Sequence, residues 1–193
     1  NNMKRIGLTG GIGVGKTYVC NIFKRLKIPV FNADIEAKKK LSENQDLISL
    51  VKQHFGQKIY KAGILQKQLL ADIVFNDSNS LKKLNSLVHP VVQEEFILWS
   101  KNQDASIVIK EAAILFESES HLNLDAVICV SAPKKLRITR IEERDSFSVA
   151  DIKNRIKQQI PQSKKEKLAD YIIVNDGKRL LLPQILNILK EIS

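Results

Sequence analysis

The run Gly10-Gly11-Ile12-Gly13-Val14-Gly15-Lys16-Thr17 constrains this chain more than any other feature. It fits G-x-x-x-x-G-K-[ST], a phosphate-binding loop. Such a loop needs a strand before it and a helix after it. Arg5-Ile6-Gly7-Leu8-Thr9 is short and strand-like, and Tyr18 to Leu26 carries apolar residues at helical spacing. Glycines lack a Cβ, so the backbone can take positive φ and lie against a ligand. Successive N–H groups then form an anion nest at the positive end of a helix. The pattern predicts that Gly11, Ile12, Gly13, Val14, Gly15, Lys16 and Thr17 hold nucleotide phosphates. Lys16 reaches the β- and γ-phosphates, and the Thr17 hydroxyl ligates Mg²⁺.

A sequence of 193 residues has room for one domain with appended subdomains. Buried-strand patterns recur at Arg5–Thr9, Pro29–Asn32, Ser106–Ile109, Asp125–Val130 and Tyr171–Val174, with helical patterns between them. That alternation predicts an α/β fold, a doubly wound parallel sheet of five strands. Two stretches interrupt the rhythm. Residues 35–103 are mostly helical and contain no good strand; residues 134–168 are helical and strongly charged. Both are expected as insertions over the carboxyl ends of the strands, the first holding a second substrate and the second closing as a lid. This leaves 3–34, 104–133 and 169–193 as the core of a single domain spanning 1–193. Leu181, Leu182, Ile185, Leu186, Leu189 and Ile192 share one side of a last helix that caps the core.

Composition narrows the partners. The chain is 44% apolar, yet no run reaches the length of a membrane span and no secretory segment precedes Met3, which reads as the natural start. Cys20 and Cys129 lack metal-ligand spacing and read as reduced core thiols of a cytoplasmic protein. The net charge of +10 suggests an anionic partner. The basic residues form no single tract and carry little aromatic interleaving, so nucleic acid and membrane are not expected partners. No N-K-x-D element for guanine is present. A kinase of small metabolites, working as a monomer or weak homo-oligomer, fits better than a switch or a motor.

Several residues outside the loop carry possible chemistry. Asp34 follows the second strand, where a carboxylate can orient and deprotonate an attacking hydroxyl; it can equally cap the next helix. Arg140 and Arg144 lie one helical turn apart and suit phosphate oxygens, or form an exposed pair balanced by Glu142, Glu143 and Asp145. His89 before Pro90 is read as a hydrogen-bonded core histidine or an acceptor-site residue. Glu111, at the end of the third strand, is a further candidate for a magnesium-site carboxylate. Asn175-Asp176-Gly177 is a turn.

The chain as a whole resembles the dephospho-coenzyme A kinase family, and the likeness runs nearly end to end. Ile6 to Thr17 looks like G-L-T-G-G-I-G-S-G-K-S, and Asn32-Ala33-Asp34 sits where the family has D-A-D. Phe55-Gly56, Gly63-Ile64-Leu65-Gln66-Lys67 and Leu70-Ala71 follow F-G and G-x-L-[ND]-R-x-x-L-[AG]. Leu84 to Pro90 is similar to L-N-x-[IL]-x-H-P, and Ile114-Leu115-Phe116-Glu117 to the end of P-L-L-F-E. Arg140 to Asp145, Arg155 with Gln158, and Ala169 to Gly177 follow the later blocks.

The resemblance implies transfer of a phosphoryl group from ATP, with Mg²⁺, to the ribose 3′-hydroxyl of dephospho-coenzyme A. Kinases acting on nucleosides or shikimate, and a nucleic-acid-stimulated ATPase, are the alternatives. It implies Asp34 as base and Lys16 and Arg140 as catalytic groups, with Arg140 over the ATP phosphates when the lid shuts. Asn175 and Gly177 meet the adenine through backbone contacts. Lys67, His89 and Leu115 join Asp34 on the acceptor side. Three departures stand out: Asn32 for the first acid of D-A-D, Lys67 for arginine, which loses the bidentate fork, and Ala113 for the proline of P-L-L-F-E.

Overall fold

The computed structural model describes residues 3–144, 156 and 159–192. Of the expected lid, residues 145–155, 157 and 158 lie outside the described residues, including Asp145, Arg155 and Gln158, as does the side chain of Arg144. Seven strands occur among the described residues: β1 (Lys4–Thr9), β2 (Val30–Asn32), β3 (Tyr60–Lys61), β4 (Ile64–Leu65), β5 (Ile107–Glu111), β6 (Ala126–Ser131) and β7 (Tyr171–Val174). Five of them form one parallel sheet in the order β2-β5-β1-β6-β7, as the apolar runs predict. Tyr171–Val174 is observed as expected, and the limits of the other four strands shift by one or two residues.

β1 is the middle strand. It pairs in parallel with β5 on one side and β6 on the other, so that Ile6 lies level with Ile109 and Ala126. Both faces are covered by helices, which is why the sequence runs apolar instead of alternating. Ile6 and Leu8 are fully buried. Helix α1 (Lys16–Arg25) adds Val19 and Phe23 to this core, and the last helix, Leu181–Ile192, adds Ile185 and Ile188.

The chain divides into two compact units, Asn1–Phe31 with Gln103–Ser193, and Asn32–Asn102. The second holds α2 (Ala33–Glu43), α3 (Gln45–Phe55), α4 (Lys67–Asn76) and α5 (Ser78–Lys101). α2, α3 and α4 each pack on α5, burying Leu47, Val51 and Phe96. Three of the four helices start on a short polar cap: the side chains of Asn32, Asn44 and Asp77 accept N–H groups of the first turn. The expectation of no strand in 35–103 is corrected by the antiparallel hairpin β3–β4. Its two-residue turn puts Ala62 at φ 49° and Gly63 at φ 79°, the left-handed pair that matches strand twist. Strands of two residues are too short for alternation to show in the sequence. Tyr60 anchors the hairpin by donating its hydroxyl to the Leu41 carbonyl at 2.6 Å.

In the first unit, α6 (Lys134–Arg144) and α7 (Gln162–Leu168) follow β6. Lys165 on α7 is fully buried. Its ammonium donates to the Ala113 carbonyl at 2.6 Å and pairs with Glu117 at 2.8 Å. Glu117 also accepts the Ile160 N–H at 3.1 Å. Removing Glu117 strands a buried cation, so Glu117→Ala is expected to cost about 3–5 kcal/mol in denaturant unfolding. Both cysteines are free and buried. Burial pushes the Cys20 thiol up to about 12 and the Cys129 thiol up to about 11. Neither forms thiolate near neutrality, so iodoacetamide at pH 8 is expected to label the unfolded chain and spare the folded one.

Candidate active site

The glycine loop leaves the carboxyl end of β1, where parallel sheets place their ligands. Gly15 is the N-cap residue of α1, at φ 90° and with no side-chain cap. An uncapped helix start leaves first-turn N–H groups for an anion. Thr17 sits in that first turn and is exposed, so its hydroxyl is accessible. Lys16 folds back over the loop. Its ammonium donates to the Gly10 carbonyl at 3.0 Å and lies 3.8 Å from the buried carboxylate of Glu111. Glu111 ends β5, the strand beside β1, which places this carboxylate at the phosphate end of the site.

The loop's N–H groups divide into two sets. Gly11 donates to Gln162 Oε1 at 2.8 Å, and Ile12 to Gln159 Oε1 at 3.0 Å. No acceptor among the described residues takes the N–H of Gly13 or Gly15. The sequence pattern placed all seven residues from Gly11 to Thr17 in one nest. The geometry instead has Gly11 and Ile12 turned toward glutamine side chains.

The carbonyls are held as firmly. Arg137 Nε donates to the Ile12 carbonyl at 2.9 Å. Asn175 Nδ2 and Arg140 Nη1 donate to the Val14 carbonyl at 2.8 Å and 3.3 Å, and Arg140 Nη2 donates to Asn175 Oδ1 at 3.3 Å. Arg140 is therefore half-buried against the loop, while Glu142 and Glu143 are exposed on the same helix. The alternative of a surface ion pair does not describe it. α6 approaches closely enough that a Cβ on Gly11 would collide with the Arg137 guanidinium, and one on Gly13 would stand 2.6 Å from the Arg137 carbonyl oxygen. A Cβ on Gly15 would collide with the Asn175 amide.

A cavity of about 960 Å³ opens beside the loop, bordered by Gly15, Tyr18, Leu26, Arg140, Asn175 and Gly177. Its mixed apolar and polar rim suits a nucleotide base. Asn175, expected to act through its backbone, spends its side chain on the loop. Asp176 closes the turn by accepting the N–H groups of Lys178 and Arg179, each at 2.9 Å.

Asp34 lies in the first turn of α2 and is half-buried. The cap of that helix is Asn32, whose side chain accepts the Ile35 N–H at 2.8 Å. Capping therefore leaves the Asp34 carboxylate uncommitted, and no described residue bonds to it. Lys67 is the exposed first residue of α4 and borders a cavity of about 1120 Å³ with Lys58, Lys61 and Tyr60. His89 is half-buried within α5. Leu115 is fully buried near Gly7, so its side chain serves the core and not an acceptor.

Among the described residues no group of three His, Cys, Asp or Glu is arranged to hold a metal. The donors present, the Thr17 hydroxyl and the Glu111 carboxylate, fit Mg²⁺, a hard ion that takes oxygen ligands and is held largely through substrate phosphates. Arg137, Gln159 and Gln162 were not anticipated. Arg137 precedes Arg140 by three residues on a helix, a spacing that could have found it. Gln159 adjoins the Gln158 of the family block.

Because Asn32 caps α2, Asn32→Ala is expected to lose about 1 kcal/mol in urea unfolding, and Asn32→Asp to stay within about 0.5 kcal/mol of the parent.

A model of dephospho-CoA kinase matches residues 4–180. The Bacteroides fragilis dephospho-CoA kinase is 36% identical over 186 residues, covering 96% of this chain and 91% of that one. The Campylobacter jejuni dephospho-CoA kinase structure superposes with a TM-score of 0.66 at 29% identity, covering 98% and 96% of the two chains. A Thermus thermophilus protein superposes over the whole of both chains with a TM-score of 0.88 at 27% identity. An Acinetobacter baumannii shikimate kinase, at 16% identity and a TM-score of 0.56, shares the fold.

Proposed function

We propose that this chain, which belongs to the dephospho-CoA kinase family, transfers the γ-phosphoryl group of ATP to the ribose 3′-hydroxyl of dephospho-coenzyme A, giving coenzyme A and ADP. The observation that carries the reading is the anion cradle at the head of α1, a helix start with no side-chain cap; the chain also keeps an acid, Asp34, that its own helix does not consume.

The N–H groups of Gly13 and Gly15 and the positive end of α1 hold the β- and γ-phosphates. Lys16 moves from the Gly10 carbonyl onto those oxygens, and Glu111 steadies its ammonium during the exchange. The Thr17 hydroxyl and the Glu111 carboxylate would hold Mg²⁺, which when bound would neutralise charge on the phosphate oxygens. Arg140 turns from its bonds to Val14 and Asn175 onto the transferring group. The base lies in the adjoining cavity, against Tyr18 and Gly177.

An alcohol is a weak nucleophile, so the transfer depends on alignment and charge stabilisation. Asp34 accepts a hydrogen bond from the 3′-hydroxyl and aligns its oxygen with the γ-phosphorus. A new P–O bond forms as the bond to the β,γ-bridging oxygen breaks. ADP leaves with that electron pair, and Asp34 keeps the proton. Lys67 and His89 are the acceptor-side residues, Lys67 as a point charge for an anionic segment of the acceptor. Among the described residues no helix is long and apolar enough to cross a membrane. Two free buried thiols fit a reducing, cytoplasmic setting, where we expect a monomer or weak homo-oligomer.

ADP release with ATP, Mg²⁺ and dephospho-coenzyme A tests the reaction, and turnover no higher than without acceptor rejects it. Asp34→Asn is expected to lower kcat by about 100-fold or more while the KM for ATP stays within about twofold. A kcat close to that of the parent removes Asp34 from the role of base.

A further inference from the structure

Arg137 is a buried arginine, only 6% exposed, for which the proposed reaction has no direct use. Burying a guanidinium is costly, and desolvation holds its pKa below the usual arginine range. A group kept buried on those terms is held there by what it contacts. Its Nε–H goes to one atom of the loop, the Ile12 carbonyl oxygen.

That carbonyl shares a peptide unit with the N–H of Gly13. In a trans peptide the C=O and N–H point in opposite directions, and the described chain contains no cis bond. Fixing the Ile12 oxygen toward α6 therefore turns the Gly13 N–H away from α6. The other peptides of the loop obey the same rule. Lys16 holds the Gly10 oxygen, and the Gly11 N–H of that unit goes to Gln162. The Gly11 oxygen accepts the Val14 N–H at 3.3 Å, and the Ile12 N–H of that unit goes to Gln159. Asn175 and Arg140 hold the Val14 oxygen, which turns the Gly15 N–H the opposite way.

Gln162 can play its part in only one orientation. Its Nε2 donates to the Val130 carbonyl at 3.0 Å and to Glu166 Oε1 at 2.9 Å, which leaves Oε1 for Gly11. Glu166 is itself fixed by the Ser131 hydroxyl at 2.6 Å. The peptides of Gly11 and Ile12 are thus pinned on one side of the loop. The free rotor left between them and α1 is the Ile12–Gly13 peptide, and Arg137 is the side chain that stops it.

We propose that Arg137 is a positioning residue for nucleotide binding: by gripping the Ile12 carbonyl it aims the Gly13 N–H at the phosphate. It touches no substrate and acts through the peptide plane. The proposal rests on reading the loop as a nucleotide cradle and is independent of which alcohol accepts the phosphoryl group.

The test exploits side-chain geometry. Glutamine places an N–H the same number of bonds from Cα as Arg137 Nε, without charge. Lysine keeps the charge but has a methylene at that position, and methionine has neither donor nor charge. ADP affinity is measured by calorimetry on the full chain for Arg137→Gln, Arg137→Lys and Arg137→Met, with circular dichroism to confirm folding. Arg137→Gln is expected to bind within about threefold of the parent, and Arg137→Lys and Arg137→Met about 10-fold more weakly, the scale of one hydrogen bond. The KM for the acceptor should not change in any variant that turns over. If Arg137→Met does not fold, the order of the glutamine and lysine variants decides alone. Lysine binding as well as glutamine or better makes charge the agent and overturns the proposal, as does a loss shared equally by both. A parent chain that binds ADP but leaves dephospho-coenzyme A unphosphorylated sinks the proposed reaction and leaves this inference standing.

Discussion

Everything at the site depends on where β1 ends. The strand is locked between two parallel neighbours, with Ile6 and Leu8 wholly buried, so its carboxyl end has no freedom to drift. The glycine loop starts from that fixed point and ends on α1, whose Val19 and Phe23 are anchored in the same core. A cradle of backbone amides is only as good as its geometry, because each amide is a weak and directional donor. Rigid elements at both ends supply part of that geometry. α6 and α7, together with Gln159 and Asn175, supply the rest by gripping the loop's outer carbonyls and amides.

Much of this was legible in the sequence. The five sheet strands were readable because each runs apolar: β1, β5 and β6 are largely buried, and the edge strands β2 and β7, though partly exposed, keep the same apolar character. The loop was readable because its glycines and Lys16 sit at fixed offsets. Asp34 was ambiguous, since a short acid just after a strand serves equally as a helix cap. The structure gives the cap to Asn32, the residue that departs from D-A-D, and leaves the Asp34 carboxylate without a capping bond. The departure costs the helix nothing, because asparagine and aspartate cap about equally well.

What escaped the sequence has physical reasons. The hairpin of Tyr60–Lys61 and Ile64–Leu65 is too short to show a period, and Ala62 in a left-handed conformation gives no warning. Leu115 reads as a site residue from its block, yet a leucine's neighbours are set by packing, and packing put it in the core near Gly7. The glutamine contacts were invisible because Gln159 and Gln162 lie about 150 positions from the loop they touch. No local pattern encodes which peptide a distant amide will meet. Arg137 shares that difficulty, although its helical spacing from Arg140 was a usable clue.

The closeness of α6 to Gly11 and Gly13 bears on how portable such a loop is. These glycines make room for a helix on the outer side of the loop, where a Cβ would meet Arg137. Transplanting the eight-residue motif into a foreign strand–helix junction would carry over the flexibility without the scaffold that disciplines it. A designer would have to move the outer helix too, with its arginine facing the graft. The smallest transferable module is therefore a set of segments far apart along the chain.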